Sequence, residues 1–455
     1  MTTARELVTK RIARRARQFP DLKLTALETT GLDGRDAALA AAIDHAVARR
    51  WLTLAAVLGR FLNRPWDRVE SSLQATLLVG AAQLLLMDRV PDHAAINEAV
   101  ELAKRMVRSK AGGLVNAVLH RVADLRAEML DETGGLPAAP DRMPLHDGRA
   151  WRFTQPVFDE DPLRRLGQQT SHPEHLLRRW REAFGWEQTC LLAAHGLVHP
   201  PIIIANLEGD DPRCRPHERR GFHVYAGPRD ALDDLLAEHV HARVQDPASA
   251  AAIGATADRR PRLIIDLCAG QGTKTAQLAH HHPEARIIAT ETDARRLEVL
   301  ERTFAQHERV EVVEPHALRP AFDGRADLLL LDVPCSNTAV LARRVEARYR
   351  FGAAGLGALV DLQRQIVADA IPLLAPASVD SGGASGGPSV GGGRVLYVTC
   401  SLEEEENEGQ ARWIARWHRM QIVQSERTLP AGGPGDDPAS YTDGGFFALL
   451  GPHGP

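Results

Sequence analysis

Two cysteines in this chain sit where a thiol could do chemistry. Cys335 lies in LLLLDVPCSNTAV, residues 328–340, and Cys400 in VLYVTCSLEEEENE, residues 395–408. Each closes an apolar run of the kind that forms a strand buried on both faces. The carboxyl ends of such strands line the ligand crevice of open α/β sheets. Asp332 stands at the same edge, three residues before Cys335. Two thiols beside a carboxylate suit attack on an electron-poor ring. Carbon 5 of a cytosine is a poor nucleophile, but a thiolate added at carbon 6 makes it enamine-like and able to take an electrophilic methyl group. A carboxylate can hydrogen-bond the exocyclic amine and ring nitrogen as charge develops there. The carbon-5 proton must then leave and the thiol be expelled, a stage that a second cysteine can serve. This chemistry does not say which cysteine attacks.

A third motif, DLCAGQGTKT at 266–275, has the pattern of a strand that ends in a glycine-containing turn and opens into a helix. Gly270 and Gly272 let the backbone come close to a ligand, and the helix N-terminus offers N–H groups. The next strand runs into Glu291, an acid placed to accept hydrogen bonds from both hydroxyls of a ribose. Together these features predict a nucleoside cofactor, without choosing between a nicotinamide dinucleotide and S-adenosylmethionine. The acidic run 403–408 has a plainer reading. Ser401 is expected as a helix N-cap with Glu404 completing a capping box, where negative charge suits the helix dipole. His280, His281 and His282 close a predicted helix without the partner spacing of a metal site, so no metal is expected. Cys268 reads as a small packed residue in a tight turn, Cys190 as core, and Trp180 and Trp186 as packing.

The elements that must position these groups follow from hydrophobic period. Residues 1–130 are helical by pattern: in AAINEAVELAKRMV the apolar set Ile96, Ala99, Val100, Ala103, Met106 and Val107 follows the i, i+3, i+4, i+7 spacing. SSLQATLLVGAAQLLLM is apolar on most sides and is predicted to be a buried helix. Residues 131–170, rich in Gly, Pro and charge, read as a linker. Residues 171–255 form a connecting subdomain of helix and strand. From 256 to 455 strands and helices alternate, which predicts a doubly wound, mostly parallel α/β sheet. The Gly/Ser-rich stretch 380–393 reads as a disordered insertion, since nothing in it could bury a core.

The chain has 455 residues and a net charge of −4, too long for one ordinary domain and not a polycation. Basic residues nevertheless cluster at 1–20 and 104–126, where they could neutralise phosphates. Five cysteines at 190, 214, 268, 335 and 400, with no CxxC pair, make neither a disulfide scaffold nor a zinc site. No apolar run is long enough to span a bilayer, and the charged N-terminus is no secretory signal, so a cytoplasmic protein without a membrane partner is expected.

These motifs, in this order, resemble the Sun/RsmB-type 16S rRNA cytosine-5 methyltransferases, and the resemblance covers nearly the whole chain. DLCAGQGTKTAQLA is similar to the family's D-x-C-A-A-P-G-G-K-T, DVPCSNTAVLARRVEARYRF to its D-A-P-C-S-x-T-G-V-x-R-R segment, and YVTCSLEEEENE to its Y-x-T-C-S-x-x-x-E-E-N-E. The tail TDGGFFALL resembles its closing strand. In front, LLLMDRVPDHAAINEAVELAKRMVRSKAGGLVNAVLHRV resembles a NusB-like helical RNA-binding domain, and SHPEHLLRRW the segment between the domains. The resemblance implies an all-α N-terminal domain before a Rossmann-like methyltransferase domain, S-adenosylmethionine as cofactor and small-subunit ribosomal RNA as partner. It implies Cys400 as nucleophile, Cys335 for product release, and Asp332 at both the cytosine and the methyl-donor side. Cys268, Ala269, Gly270, Gln271, Gly272, Thr273 and Lys274 would wrap the methionine and ribose of the cofactor. Glu291 would take the ribose hydroxyls, and His316, where the family has Asp, would meet the adenine. Gly270, Gln271 and Thr273 replace the family's Ala, Pro and second Gly, and Ala339 replaces another Gly. Nothing requires more than a monomer. The rival expectation is a NusB-like RNA-binding or transcription-associated factor with a degenerate methyltransferase domain. A dehydrogenase would leave both strand-end cysteines unexplained.

Overall fold

The computed structural model describes residues 3–453 except 24, 133 and 377–391. Most of the expected insertion at 380–393 therefore lies outside the described residues. The chain forms two compact units: one of Met1–His199, Leu341–Gly352 and Gly432–Asp436, the other of Pro200–Val340, Ala353–Ala431 and Asp437–Pro455.

The first unit begins with five helices, α1 (Ala4–Gln18), α2 (Gly34–Gly59), α3 (Ser71–Leu86), α4 (Asp92–Met106) and α5 (Ala111–Leu125). Thr3 caps α1 by accepting from the Glu6 amide, and Asp33 caps α2 by accepting from Asp36. The helix expected to be buried is α3: Leu73 to Leu85 is buried without interruption. A Cβ on Gly80 would lie 2.5 Å from the Leu119 side chain, so glycine lets α3 and α5 approach closely. Helix α2 kinks at Arg50, and just past the kink the Leu52 amide donates 2.9 Å to Ser171 Oγ.

Among the described residues of 131–170, expected as linker, the structure has strands and a helix. β1 (Arg126–Leu130), β2 (Arg142–Pro144) and β3 (Ala150–Phe153) make an antiparallel sheet in the order β1-β3-β2. The glycines that made this stretch read as linker lie between its strands: Gly134, Gly135 and Gly148 all adopt positive φ. Strands of five residues or fewer carry too little alternation to stand out between such turns. Helices α6 (Pro162–Thr170) and α7 (Glu174–His195) follow. Trp180 is buried as expected, but Trp186, past the irregular Gly185 (φ 81°), is 37% exposed. Residues 341–352 belong to this unit and send Arg348 and Tyr349 into its interior. The Arg348 guanidinium is wholly buried and donates to the carbonyls of Thr170, Gly196 and Leu341 at 2.9–3.1 Å. The Tyr349 hydroxyl donates to the Ala48 carbonyl at 2.9 Å and lies 2.9 Å from Ser171 Oγ.

The second unit opens with β4 (Ile203–Ala205), β5 (Cys214–Pro216), β6 (Phe222–Tyr225), helix α8 (Leu232–Glu238) and β7 (Arg243–Val244), whose strands pair antiparallel in the order β5-β6-β4-β7. Next come α9 (Pro247–Gly254), β8 (Leu263–Asp266), α10 (Thr273–His281), β9 (Arg286–Ala289), α11 (Ala294–Phe304), β10 (Val310–Val312), α12 (Leu318–Phe322) and β11 (Leu328–Asp332). After α13 (Ala347–Arg350), which belongs to the first unit, the chain adds α14 (Ala353–Ala370), β12 (Arg394–Thr399), α15 (Glu408–Trp417), β13 (Met420–Thr428) and β14 (Gly445–Pro452). The seven-stranded sheet runs β10-β9-β8-β11-β12-β14-β13. The first five strands in that order are parallel, and β14 is antiparallel to both neighbours. This is the expected doubly wound sheet. The alternation of the pleat splits the apolar runs between two faces: Leu329, Leu331, Val395 and Tyr397 pack with α12, α14 and α15. Leu328, Leu330, Leu396 and Val398 pack with α9, α10 and α11. Strand order reverses between β8 and β11, which places the ligand crevice at their carboxyl ends.

Candidate active site

β8, β11 and β12 lie side by side, with Leu330 opposite Asp266 and Asp332 opposite Val398. Their ends therefore bring three loops to one edge. After β8 the chain turns through Gly270 (φ 59°) and Gly272 (φ 92°) into α10. A Cβ on Gly272 would run into the Phe304 ring, so this position demands glycine for space as well as for φ. Thr273, where the family has a second glycine, is the first helical residue, and its backbone needs no special freedom.

The two cysteines meet. Cys335 Sγ and Cys400 Sγ are 3.3 Å apart, and the Cys400 amide donates to Cys335 Sγ at 3.3 Å. Cys400 Sγ also lies 3.1 Å from Asn337 Oδ1. Asn337 holds the left-handed conformation (φ 60°) that turns the loop back, and its Nδ2 donates 2.7 Å to the Cys335 carbonyl. The hydrogen bond with Cys400, aided by burial, pushes the Cys335 thiol well above its usual range. Lys274 Nζ pairs with Asp332 Oδ2 at 2.8 Å. Burial works against this ammonium, but Asp332, with smaller contributions from Cys400 and Asp266, outweighs it and raises its pKa. Thus Asp332, Cys335, Cys400 and Lys274 form one cluster.

The remaining predicted residues surround the β8 and β9 ends. Glu291 is buried, with Oε2 accepting from the Gly270 amide at 3.1 Å and Oε1 from the Thr292 and Asp293 amides at 2.7 and 3.0 Å. Burial pushes the Cys268 thiol up, with Asp266, Asp332 and Glu291 adding to the effect. Ala269 is buried and Gln271 exposed, and His316 is exposed on the single turn Pro315–Ala317.

Asp266 is a further group of interest. Its Oδ2 accepts from Thr275 Oγ1 at 2.7 Å, while Oδ1, equally buried, has no hydrogen-bond partner among the described residues. Burial raises this carboxyl to about 7. An unfolded aspartate titrates near 3.9, about three units lower. Between those values the folded protein keeps a proton that the unfolded chain has lost. The contribution of this group to stability is therefore complete below about pH 4 and declines as pH rises toward 7. We expect Asp266→Asn to flatten the fall in urea midpoint of the ligand-free protein over that interval. An unaltered slope in the variant would refute the assignment.

Sequence reasoning missed Glu406. The expected capping box is absent: α15 starts at Glu408, and Glu404 pairs instead with Arg412 at the surface. Glu406 is wholly buried. It accepts from the Ser336 amide at 2.9 Å, from Ser336 Oγ and Ser401 Oγ at 2.5 Å each, and from Gln363 Nε2 at 2.9 Å. Next to it Asn407 accepts from Thr399 Oγ1 at 2.5 Å and donates to the Ser401 carbonyl at 2.9 Å. The acidic run thus folds back to tie the Cys335 loop to the Cys400 loop. The hydroxyls that flank each cysteine were the available signal, since a buried carboxylate requires donors.

Among the described residues, Asp211, Glu238 and His239 are close enough to hold a metal ion, but Arg213 already bridges both acids.

Comparison with known proteins identifies both domains. Residues 2–124 match the NusB family, and residues 255–432 match the family described as 16S rRNA methyltransferase RsmB/F. The ribosomal RNA small subunit methyltransferase B of Erwinia tasmaniensis is 28% identical over 438 residues, covering 91% of this chain and 90% of that protein. Its namesake from Xanthomonas campestris pv. campestris is 28% identical over 440 residues, covering 94% and 92%. The chain carries a NusB domain followed by an RsmB/F methyltransferase domain. This methyltransferase also shares its fold with the crystal structure of PH0851, at a TM-score of 0.66 and 19% identity, covering 93% of this chain and 91% of that one. The NusB match falls on the helices α1 to α5 and the methyltransferase match on the parallel sheet. No helix among the described residues is long and apolar enough to cross a membrane.

Proposed function

We propose that this methyltransferase transfers a methyl group from S-adenosylmethionine to carbon 5 of a cytosine in 16S ribosomal RNA, through a covalent bond between a cysteine sulfur and carbon 6. The observation that carries this reading is the pair of sulfurs 3.3 Å apart at the sheet edge that also holds Asp332 and Lys274. A single cysteine at a strand end is most simply packing. Two in contact, from different loops, beside a carboxylate, match the needs of thiol addition and later thiol release.

The residues present fit the cofactor. Asp266 Oδ1 offers a buried acceptor without a partner, and Gly270 has open space where a side chain would project. Residues Cys268 to Lys274 would hold the methionine and ribose parts, Glu291 the ribose hydroxyls, and His316 the edge of the adenine. When bound, S-adenosylmethionine supplies the electrophilic methyl group. Cys400 attacks carbon 6. Asp332, its charge balanced by Lys274, accepts hydrogen bonds from the base. Cys335 serves the release of the product. The names of its relatives, ribosomal RNA small subunit methyltransferases, support ribosomal RNA of the small subunit as substrate.

The test is methyl transfer from labelled S-adenosylmethionine to small-subunit ribosomal RNA and to partly assembled subunits, with the modified base identified by mass spectrometry. 5-Methylcytidine is the expected product. Label on a different base would overturn the cytosine reading. No transfer and no cofactor binding would leave an RNA-binding protein with a degenerate catalytic domain.

A further inference from the structure

We propose that Cys335 and Cys400 are a redox pair: a peroxide converts them to a disulfide, and a dithiol converts them back. The loss of activity this entails rests on the methyltransferase reading above, while the disulfide itself does not. Cys335 Sγ and Cys400 Sγ are 3.3 Å apart. A disulfide bond is about 2.05 Å long, so the sulfurs must close by about 1.3 Å. The backbone allows it. The two cysteines follow neighbouring parallel strands, β11 and β12, which pair as far as Asp332 and Val398. Strands so paired lie about 4.8 Å apart, within the span of about 4.4–6.8 Å between the Cα atoms of a disulfide. Past the strand ends the Cys400 amide still donates 3.3 Å to Cys335 Sγ, so the loops have not diverged.

Bonds on either side hold the sulfurs in contact. The Ala339 amide donates 3.1 Å to the Cys400 carbonyl, and the Leu402 amide donates 2.9 Å to Thr338 Oγ1. Glu406 accepts from Ser336 Oγ and Ser401 Oγ, the hydroxyls next to each cysteine. Thiols tied in this way meet at a high effective concentration. Closing the bond gives up the 3.1 Å contact between Cys400 Sγ and Asn337 Oδ1, while Asn337 keeps its bond to the Cys335 carbonyl. Exposure sets the order of events. Cys335 is buried, whereas Cys400 is half-buried and therefore the first to meet an oxidant.

In the first step the Cys400 sulfur attacks the O–O bond of hydrogen peroxide. The sulfur keeps one oxygen as a sulfenic acid, and the other leaves as water. In the second step the Cys335 sulfur attacks the Cys400 sulfur, and the remaining oxygen leaves as a second water. Together the thiols give up two protons and two electrons, which reduce the peroxide to those waters. Before oxidation the Cys335 thiol is held protonated, first of all by its hydrogen bond with Cys400. Oxidation of Cys400 removes that hold, so the second thiol is released where it is needed. With both thiols consumed, no sulfur can add to carbon 6. The pairing also spares the nucleophile. A sulfenic acid without a thiol beside it goes on to the sulfinic acid, which thiols do not reverse.

The experiment treats the full chain, free of RNA, with hydrogen peroxide and maps its cysteine peptides by mass spectrometry without reduction. Methyl transfer is measured before treatment, after it, and again after dithiothreitol. We expect a linked Cys335–Cys400 peptide to form in step with a fall in activity of about tenfold or more, and activity to return to within about twofold on reduction. In Cys335→Ala, the same dose of peroxide should carry Cys400 to the sulfinic acid, which dithiothreitol does not reverse. Absence of the linked peptide, or sulfinic acid at Cys400 of the wild type at that dose, overturns the proposal. A linked peptide that leaves methyl transfer unchanged keeps the disulfide and overturns Cys400 as the nucleophile. No methyl transfer by the untreated protein overturns the methyltransferase reading alone, because the linked peptide is read without it.

Discussion

Replacing Cys400 with alanine is expected to lower methyl transfer to RNA by on the order of 10³-fold or more, because the variant lacks the group that opens the ring to substitution. In the proposed reaction the Cys400 sulfur bonds to carbon 6 and the ring electrons it displaces take up the methyl group at carbon 5. A base then removes the carbon-5 proton, and the electron pair returns to the ring as the carbon–sulfur bond breaks. Cys335 is suited to this second half. Its thiol is held protonated by the hydrogen bond with Cys400 and by burial. Once the Cys400 sulfur is committed to carbon, it no longer holds Cys335, which is freed to exchange protons. Cys335→Ala should therefore still attack RNA but fail to release it, leaving a protein–RNA adduct that survives a denaturing gel. Both variants should bind cofactor normally. An adduct in Cys400→Ala, with none in Cys335→Ala, would reverse the roles. Normal turnover by Cys335→Ala would remove it from the mechanism.

The strand ends that carry Asp332, Cys335 and Cys400 were legible because parallel strands buried on both faces announce themselves as unbroken apolar runs. What lies at the end of such a run lies at the ligand edge. That the sulfurs touch was not legible. It depends on Asn337 adopting positive φ and on the register that sets Asp332 beside Val398. The acidic run misled for a physical reason. Glutamates after a serine satisfy the rule for a helix start equally well whether the helix begins there or several residues later. Here the run folds into turns first and α15 begins only at Glu408.

The helices of the first unit and the alternation of the second were readable from period alone. The antiparallel sheet at 126–153 was not, since its three strands are short and its turns have the composition of a linker. Nor could period show that Arg348 and Tyr349, following the loop that carries Cys335, pack into the core of the first unit. A buried arginine there looks like any other basic residue until the carbonyls of Thr170, Gly196 and Leu341 are seen around it.

Glu406→Ala is expected to reduce kcat about 10²-fold while leaving the KM for RNA and cofactor affinity within about twofold, since a displacement on the scale of 1 Å at reacting atoms costs about that much. The carboxylate touches neither sulfur. It acts through Ser336 and Ser401, the residues immediately after Cys335 and Cys400, which it holds from one point. Removing it leaves the Ser336 amide and the Gln363 amide without an acceptor in the interior, a loss on the order of 3 kcal/mol. A fall in activity could then reflect unfolding alone, so kcat is to be measured well below the melting temperature of the variant. Glu406→Gln separates the two effects. Its amide oxygen can still accept from the Ser336 and Gln363 amides, and both serine hydroxyls can rotate to accept from its nitrogen. Stability should largely return, and kcat should recover to within about tenfold of the wild type. Cys335→Ala/Glu406→Ala should also form less trapped adduct than Cys335→Ala, because the misplacement affects the attack of Cys400 itself. Wild-type kcat in Glu406→Ala would show that the two cysteine loops hold their spacing without this tie.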